Sequence, residues 1–416
     1  MDAPTPRNPG VSGGQFWASN AIFFAATHLL AVIGLWIHPP ARLPRATLWL
    51  MPILWHFAMF GVLKATRITV GYHRLWSHRS FRAGKLVRTC LALGGASAVQ
   101  GLRHRLHHRF TDDPVHDPYS ATRGMLFAHM GWIFFKPAYP RLNLIGRDDL
   151  ERDAVVRLQH KYYVPIAIFM GFVLPVLLGA LWNDALGGFL YGALWNRVLI
   201  WHCTFLVNSL AHWHGLQPYS DEVTARGNLL IAMLTNGEGN HNFHAFPHDF
   251  RAGLRSSEYD PSKWLLLVLH RFKLVWGLRR ARREDIAWAV EDMRRRHNEC
   301  GEAQEDAQSV IDNETPPTWS LADVQGFVKT GRCALLIDNF VVDATSILGE
   351  HPGGSALLRR YSMRTSDIPV TTPETGGWPE GHWAFHGGLN NHSRAARKRM
   401  RELRVARLAA EDSQAH

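Results

Sequence analysis

Four apolar runs decide what this chain can fold into. They cover residues 16–37, 48–63, 164–182 and 189–207. A helix needs about 20 apolar residues to cross roughly 30 Å of hydrocarbon. The first and third runs meet that length, and the second meets it when extended toward Val70. The fourth holds Asn196, Arg197 and His202, which a membrane tolerates when such groups face the interior of a bundle. One run alone reads equally as a buried soluble helix. Four runs in two closely spaced pairs read as two membrane hairpins. The links inside the pairs, 38–47 and 183–188, are short. The long polar segments, 66–161 and 212 onward, therefore share the side of the N-terminus. Arg and Lys are abundant there, which marks the cytoplasmic face.

The opening segment, MDAPTPRNPG, lacks the basic start and short apolar core of a cleaved signal. The first membrane helix is expected to direct insertion. Residues 86–100 and 125–135 are apolar but too short to span. They read either as interfacial helices or as core helices of a cytosolic cap. The formal net charge is +11, a balance that suits nucleic acid, anionic headgroups or a phosphate-bearing ligand. No nucleic-acid motif accompanies it, so membrane lipid or a phosphorylated ligand is expected and nucleic acid is not. Cys90, Cys203, Cys300 and Cys333 form no CxxC pair, against a disulfide framework or zinc ribbon and in favour of a reducing cytosol.

Histidines supply the chemistry. In HRLHH, His104, His107 and His108 stand at i, i+3 and i+4 on one helix face. His241 and His244 in GEGNHNFH share a face at i, i+3, and Asn208 and His212 in NSLAHW do so at i, i+4. His73 and His78 in HRLWSH are five apart, about 140° around a straight α-helix; one ion can take both only if the helix bends, and otherwise two neighbouring ions are expected to use them. Imidazoles on rigid faces, without thiolate or ligand-spaced carboxylates, suit a borderline metal such as iron or zinc. An oxygen-activating iron site, a zinc store and a transporter path all remain open on spacing alone.

Taken together, GYHRLWSH, HRLHHRFTDD, NSLAHW and GEGNHNFH resemble the membrane acyl-CoA desaturases of the stearoyl-CoA delta-9 type, over residues 48–278. The resemblance implies four transmembrane helices, a cytosolic helical cap and two non-haem irons held by nine histidines. Carried across, the catalytic and metal-binding residues are His73, His78, His104, His107, His108, His212, His241 and His244, with Asn208 near one metal through water. The implied reaction removes two hydrogens from an unactivated methylene pair and reduces O2 to water. No side chain is basic enough for that abstraction, so the metal carries it. Two departures stand out. The family's third box reads HxxHH, one residue, then Phe-Pro; here His244 runs directly into Ala245-Phe246-Pro247, leaving one histidine missing. His248 or His214 could stand in. The segment before HRLHH is also shorter than the family's, and it omits a tryptophan-containing stretch that lines the acyl tunnel.

Residues 298–317 are polar, acidic and end in Pro-Pro, a linker composition. Beyond them, Ser320–Asp323 has the form of a capping box. Residues 334–337 and 340–343 read as strands around a tight Asp338-Asn339 turn. His351 in GEHPGG and His392 in NHSRAA are placed to grip a haem iron from two faces. LLIDNFVVDATSILGEHPGG with NHSRAA resembles cytochrome b5, over residues 318–408, with extra sequence at 363–382. The resemblance implies haem b with His351 and His392 as axial ligands; His382 and His386 compete for the second position.

The reading is thus a multi-span α-helical membrane protein with a small α+β cytochrome b5-like C-terminal domain. Its expected parts are a desaturase domain at 1–297, a linker at 298–317 and a haem domain at 318–410. The expected function is delta-9 desaturation of saturated fatty acyl-CoA at the endoplasmic reticulum membrane, with both termini cytosolic. Electrons would come from NADH through NADH–cytochrome b5 reductase and the fused haem. The rivals are a di-iron lipid hydroxylase, a sphingolipid desaturase and a haem-carrying membrane homologue without iron chemistry.

Overall fold

The computed structural model describes residues 14–50, 67–93, 99–235, 237–254, 258–298, 316–349, 351, 353–363, 379–386 and 392–409. The chain divides into two compact units, Met1–Gln217 with Val223–Arg280, and Pro218–Glu222 with Ala281–His416. The division falls at Ala281, ahead of the expected linker, because helix Arg283–Asn298 packs with the C-terminal unit.

In the first unit, helix Ala18–Ile37 and the helical stretch Tyr163–Ala180 are long and apolar enough to cross a membrane. Both leave most of their apolar surface outward. Ile22, Leu29, Val32 and Trp36 are exposed on one, and Val164, Ile168 and Leu177 on the other. A core helix of a soluble protein would bury such residues, since each contributes roughly 1.5–3 kcal/mol when removed from water. The run expected at 48–63 falls largely outside the described residues.

Residues 188–208 are helical throughout, wound as a π-helix over Gly188–Trp195 and as an α-helix over Asn196–Asn208. The polar groups of this run turn inward, which answers their cost in an apolar setting. Asn196 is buried. His202 reaches His28 (Nε2 to Nε2, 3.0 Å) and His129 (Nδ1 to Nε2, 2.9 Å). The bend between the two stretches is tight. Asp184 accepts from Gly187 N (2.9 Å) and from His38 Nε2 (3.1 Å), and it also bonds Thr47.

The segments read as interfacial or core helices carry both kinds of face. Helix Lys85–Ala92 buries Leu91 and Ala92 among Tyr72, Trp76, Phe81, Leu266 and Val275 while Leu86 stays outside. Helix Met125–His129 buries Ala128 and leaves Leu126 exposed.

The C-terminal unit holds a four-stranded sheet in the order Thr318–Trp319, Arg404–Leu408, Phe340–Asp343, Ala334–Ile337. The expected hairpin is present. Asp338 and Asn339 take φ of 55° and 62°, the left-handed pair that a two-residue turn demands. The capping box forms as expected, with Ser320 and Asp323 bonding each other's backbone. Strand side chains alternate between two cores. Ala334 and Val341 pack with Val324, Ala406 and Leu408 on one face, and Leu335, Ile337 and Val342 pack with Leu358 and Met400 on the other.

Two glycines test the packing. A Cβ on Gly188 would lie 2.4 Å from the Pro175 carbonyl oxygen, whereas one on Gly326 would meet nothing within 4 Å. Gly188→Ala should destabilise by about 1–3 kcal/mol. Gly326→Ala, inside helix Leu321–Lys329, should be neutral or stabilise by up to about 1 kcal/mol. Thermal unfolding of both variants in detergent reads the contrast.

Candidate metal centre

The local winding of the chain places each imidazole. Residues Arg67–Ser77 form a π-helix, and His78 N donates to His73 O at 2.9 Å, an i to i+5 bond. In a π turn, residues five apart lie nearly one above the other. His73 and His78 Nε2 are consequently 3.1 Å apart and belong to one cluster. This corrects the expectation that they serve two ions, which assumed α-helical pitch.

Helix Val99–Arg109 does the reverse with its three histidines. His104 and His108, at i and i+4, bring Nε2 atoms to 3.0 Å, and His104 Nε2 lies 3.2 Å from His78 Nε2. His107 turns toward a second group, whose ligand atoms with those of His212 and His241 lie within 4.8 Å of one another. The short 3-10 helix His241–Ala245 also serves both sides. His241 Nε2 is 3.1 Å from His212 Nε2. His244 joins His73, His78 and His108, again with ligand atoms within 4.8 Å. The two groups adjoin, with ring centres of His241 and His244 4.8 Å apart.

All eight sequence-identified histidines therefore converge, five in one group and three in the other. Asn208 ends helix Asn196–Asn208, one turn before His212 in the following helix Leu210–Trp213. Among the described residues neither His214, which is exposed, nor the half-buried His248 enters a group.

The donor set fits metal. A neutral imidazole Nε2 offers one proton or one lone pair, yet His78 and His104 each have two Nε2 neighbours at 3.0–3.2 Å. Protons cannot satisfy that pattern; a cation shared by the lone pairs does. Three of the outer nitrogens are held as metal-binding histidines require. His107 Nδ1 donates to Asp117 Oδ1 at 2.9 Å. His212 Nδ1 donates to Thr224 Oγ1 at 2.8 Å, and that hydroxyl donates to Asp112 Oδ1 at 2.7 Å. His104 Nδ1 lies 3.3 Å from the Tyr119 hydroxyl. Each bond fixes Nε2 as the inward-facing atom.

Spacing alone missed Glu238. Its Oε1 accepts from Arg74 Nε (3.2 Å) and Nη2 (3.1 Å). Its Oε2 faces His73 Nδ1 at 3.2 Å and His244 Nε2 at 3.4 Å, near enough for strong attraction but without hydrogen-bond alignment. The available signal was a carboxylate inside GEGNHNFH, on a loop led by Gly237. That glycine has φ 114°, and a Cβ on it would stand 2.5 Å from Asp260 Oδ1.

Burial, then mutual repulsion, pushes the imidazoles of His78, His104, His108 and His241 well below their ordinary range. The same causes bring His212 to about 3, and burial brings His244 to about 4 against the pull of Glu238. These groups are neutral near pH 7, with lone pairs available for a metal. Burial favours the neutral form of Glu238, but His73 and Arg74 outweigh it and hold the carboxylate ionised.

No family model matches the whole chain or any part of it. Individual relatives do. The chain is 37% identical over 347 residues to a probable acyl-CoA desaturase of Schizosaccharomyces pombe, a match spanning 82% of this chain and 68% of that one. It is 32% identical over 361 residues to acyl-CoA desaturase 1 of Saccharomyces cerevisiae (85% and 66%). This chain belongs to the acyl-CoA desaturase family. The delta(9)-fatty-acid desaturase fat-7 of Caenorhabditis elegans is 35% identical over 260 residues (59% of this chain, 74% of that one). Acyl-CoA desaturases are membrane oxidoreductases with iron-dependent catalysis, and the histidine groups of this member can bind metal.

Two outcomes follow for this desaturase. Glu238→Gln keeps the shape and removes the charge beside His73 and His244, so metal affinity should fall about 10–100-fold, read by metal retention on dialysis against chelator. In the metal-free protein, His212 and His244 titrate near 3 and 4 when folded against 6.5 when unfolded. The unfolded chain then binds more protons at mildly acid pH. Their contribution to stability is complete above about pH 6.5 and is lost as pH falls through 4 toward 3. Denaturation midpoints of chelated protein across that range should decline accordingly.

Proposed function

We propose that this chain introduces a cis double bond at the delta-9 position of saturated fatty acyl-CoA, using O2 and electrons from NADH. The observation that carries the proposal is the convergence of eight histidines into two adjoining groups, His104 joining through His78 and His108, inside a chain that belongs to the acyl-CoA desaturases. His73, His78, His104, His108 and His244 would hold one iron. His107, His212 and His241 would hold the other, with Asn208 reaching it through water. Bound iron supplies the oxidising power to take hydrogen from an unactivated methylene pair, which no side chain here can do. The protein's own part is to keep the imidazoles neutral, fix the tautomers of His107 and His212 through Asp117 and Thr224, and balance the buried charge with Glu238 and Arg74.

The C-terminal unit is read as a cytochrome b5-like electron donor carrying haem b. Helix Arg394–Glu402 begins two residues after His392. His392 Nδ1 donates to Phe385 O at 2.9 Å, which leaves Nε2 as the ligating atom. The ring centres of His351 and His392 are 6.3 Å apart. Two imidazoles on opposite sides of one metal ion, with bonds of about 2.0–2.1 Å, put their centres roughly 6.4 Å apart. The contacts of His382 and His386 with Asp338 favour His392 over either of them as the second ligand. The yeast relatives add support. A match covering 82% or more of the chain cannot fit within the residues before Ala281 and runs into the C-terminal unit. A donor in the same chain acts at high effective concentration. NADH–cytochrome b5 reductase would reduce the haem. The endoplasmic reticulum membrane, with active site and both termini cytosolic, is the setting that fits these partners.

Expression in a host lacking delta-9 desaturase tests the reading. Sixteen- and eighteen-carbon monounsaturated acids should appear and should vanish with His107→Ala. Well-expressed, haem-loaded protein that yields no unsaturated product would sink it. His351→Ala and His392→Ala should each abolish the absorption spectrum of a bis-histidine haem. Iron analysis should give about two non-haem irons per chain; a single iron would mean that the three-histidine group does not hold its metal.

A further inference from the structure

Away from the eight-histidine centre, a third convergence of ligand-type side chains lies within the C-terminal unit. Asp338 opens the turn between strands Ala334–Ile337 and Phe340–Asp343. Helix Pro379–Phe385 carries His382, and His386 continues it by one residue, its N–H donating to His382 O at 3.0 Å. The two histidines are thus one turn apart on the same helix face. Both close on a single oxygen. His382 Nδ1 is 3.1 Å and His386 Nε2 2.8 Å from Asp338 Oδ1. The three ligand atoms all lie within 4.8 Å of one another. The competing cation, Arg404, approaches the other oxygen, with Nη2 3.9 Å from Oδ2.

A hydrogen bond explains either contact singly. A carboxylate oxygen can accept both, but two imidazoles of one helix gathered on one carboxylate oxygen also make a ready set of metal donors. A metal ion with bonds of about 2.0–2.2 Å to nitrogen and oxygen keeps neighbouring ligand atoms roughly 3–3.5 Å apart, near the 2.8 and 3.1 Å between Asp338 Oδ1 and the two ring nitrogens. Two imidazoles and a carboxylate, without thiolate, select a borderline divalent ion. The side chains are partly exposed, at 54%, 35% and 32% for His382, His386 and Asp338, so water can complete the coordination.

The geometry points to a zinc-binding site formed by Asp338, His382 and His386, separate from the iron centre. Its place gives it a consequence. Phe385, between the two histidines on the chain, holds His392 by its carbonyl and stacks on that ring at 4.3 Å. Zinc at the site fastens the helix end that positions His392 to the sheet.

The test uses the full-length, iron-loaded protein titrated with zinc alone. The unaltered protein should take up about one more zinc per chain than His386→Ala or Asp338→Asn. That difference should persist in a His107→Ala background, which separates it from zinc entering the iron centre. Zinc should also raise the unfolding midpoint of the unaltered protein and leave that of both variants where it was. Equal zinc uptake by all three proteins overturns the site. The count does not depend on desaturase activity or on haem, so it stands or falls apart from the proposed function.

Discussion

The buried guanidinium of Arg74 is the constraint on which the first unit depends. It donates to Asp260 (Nη2 to Oδ1, 2.9 Å), to Glu238 and to the carbonyl of Phe250 (2.7 Å). Burial alone would favour its neutral form, but Asp260 and Glu238 more than reverse that and keep it charged. Three stretches far apart in sequence are tied through this one side chain. They are the π-helix with His73, which His78 directly follows, the loop leading to His241 and His244, and helix Pro261–Arg271, which Asp260 caps by accepting from Lys263 N at 2.9 Å. A buried charge set of this kind adds little net stability over an apolar packing, yet breaking it costs several kcal/mol. Its use is to fix register. The carboxylate that faces His73 and His244 cannot swing away, because its other oxygen is held.

Much of this was legible from residue types and spacing. Eight histidines were identified in the sequence, and all eight meet. The Asp338-Asn339 hairpin and the Ser320 capping box were readable because they are local, set by a few consecutive residues. What spacing could not give was the division of the ligands. His104, His107 and His108 share one broad helix face, but a centre on each flank of that helix splits them. His73 and His78 look incompatible on α-helical pitch and become neighbours only because the backbone widens to a π turn, a choice made by tertiary packing and invisible in periodicity. Glu238 and Asp117 were passed over because a supporting carboxylate has no fixed spacing from the histidine it orients.

The group around His78 gathers five imidazoles, and the group of His107, His212 and His241 gathers three. In the smaller group the outer nitrogens of His107 and His212 are supported through Asp117, Thr224 and Asp112, whereas His241 Nδ1 makes no hydrogen bond among the described residues.

Helix Val99–Arg109 carries ligands of both groups on a single rigid rod. The offset of His107 from His104 and His108 is therefore fixed by the helix's own rise and twist rather than by adjustable loops. The three imidazoles behave as marks on one ruler: the loops that bring the other histidines can shift without changing the spacing among these three.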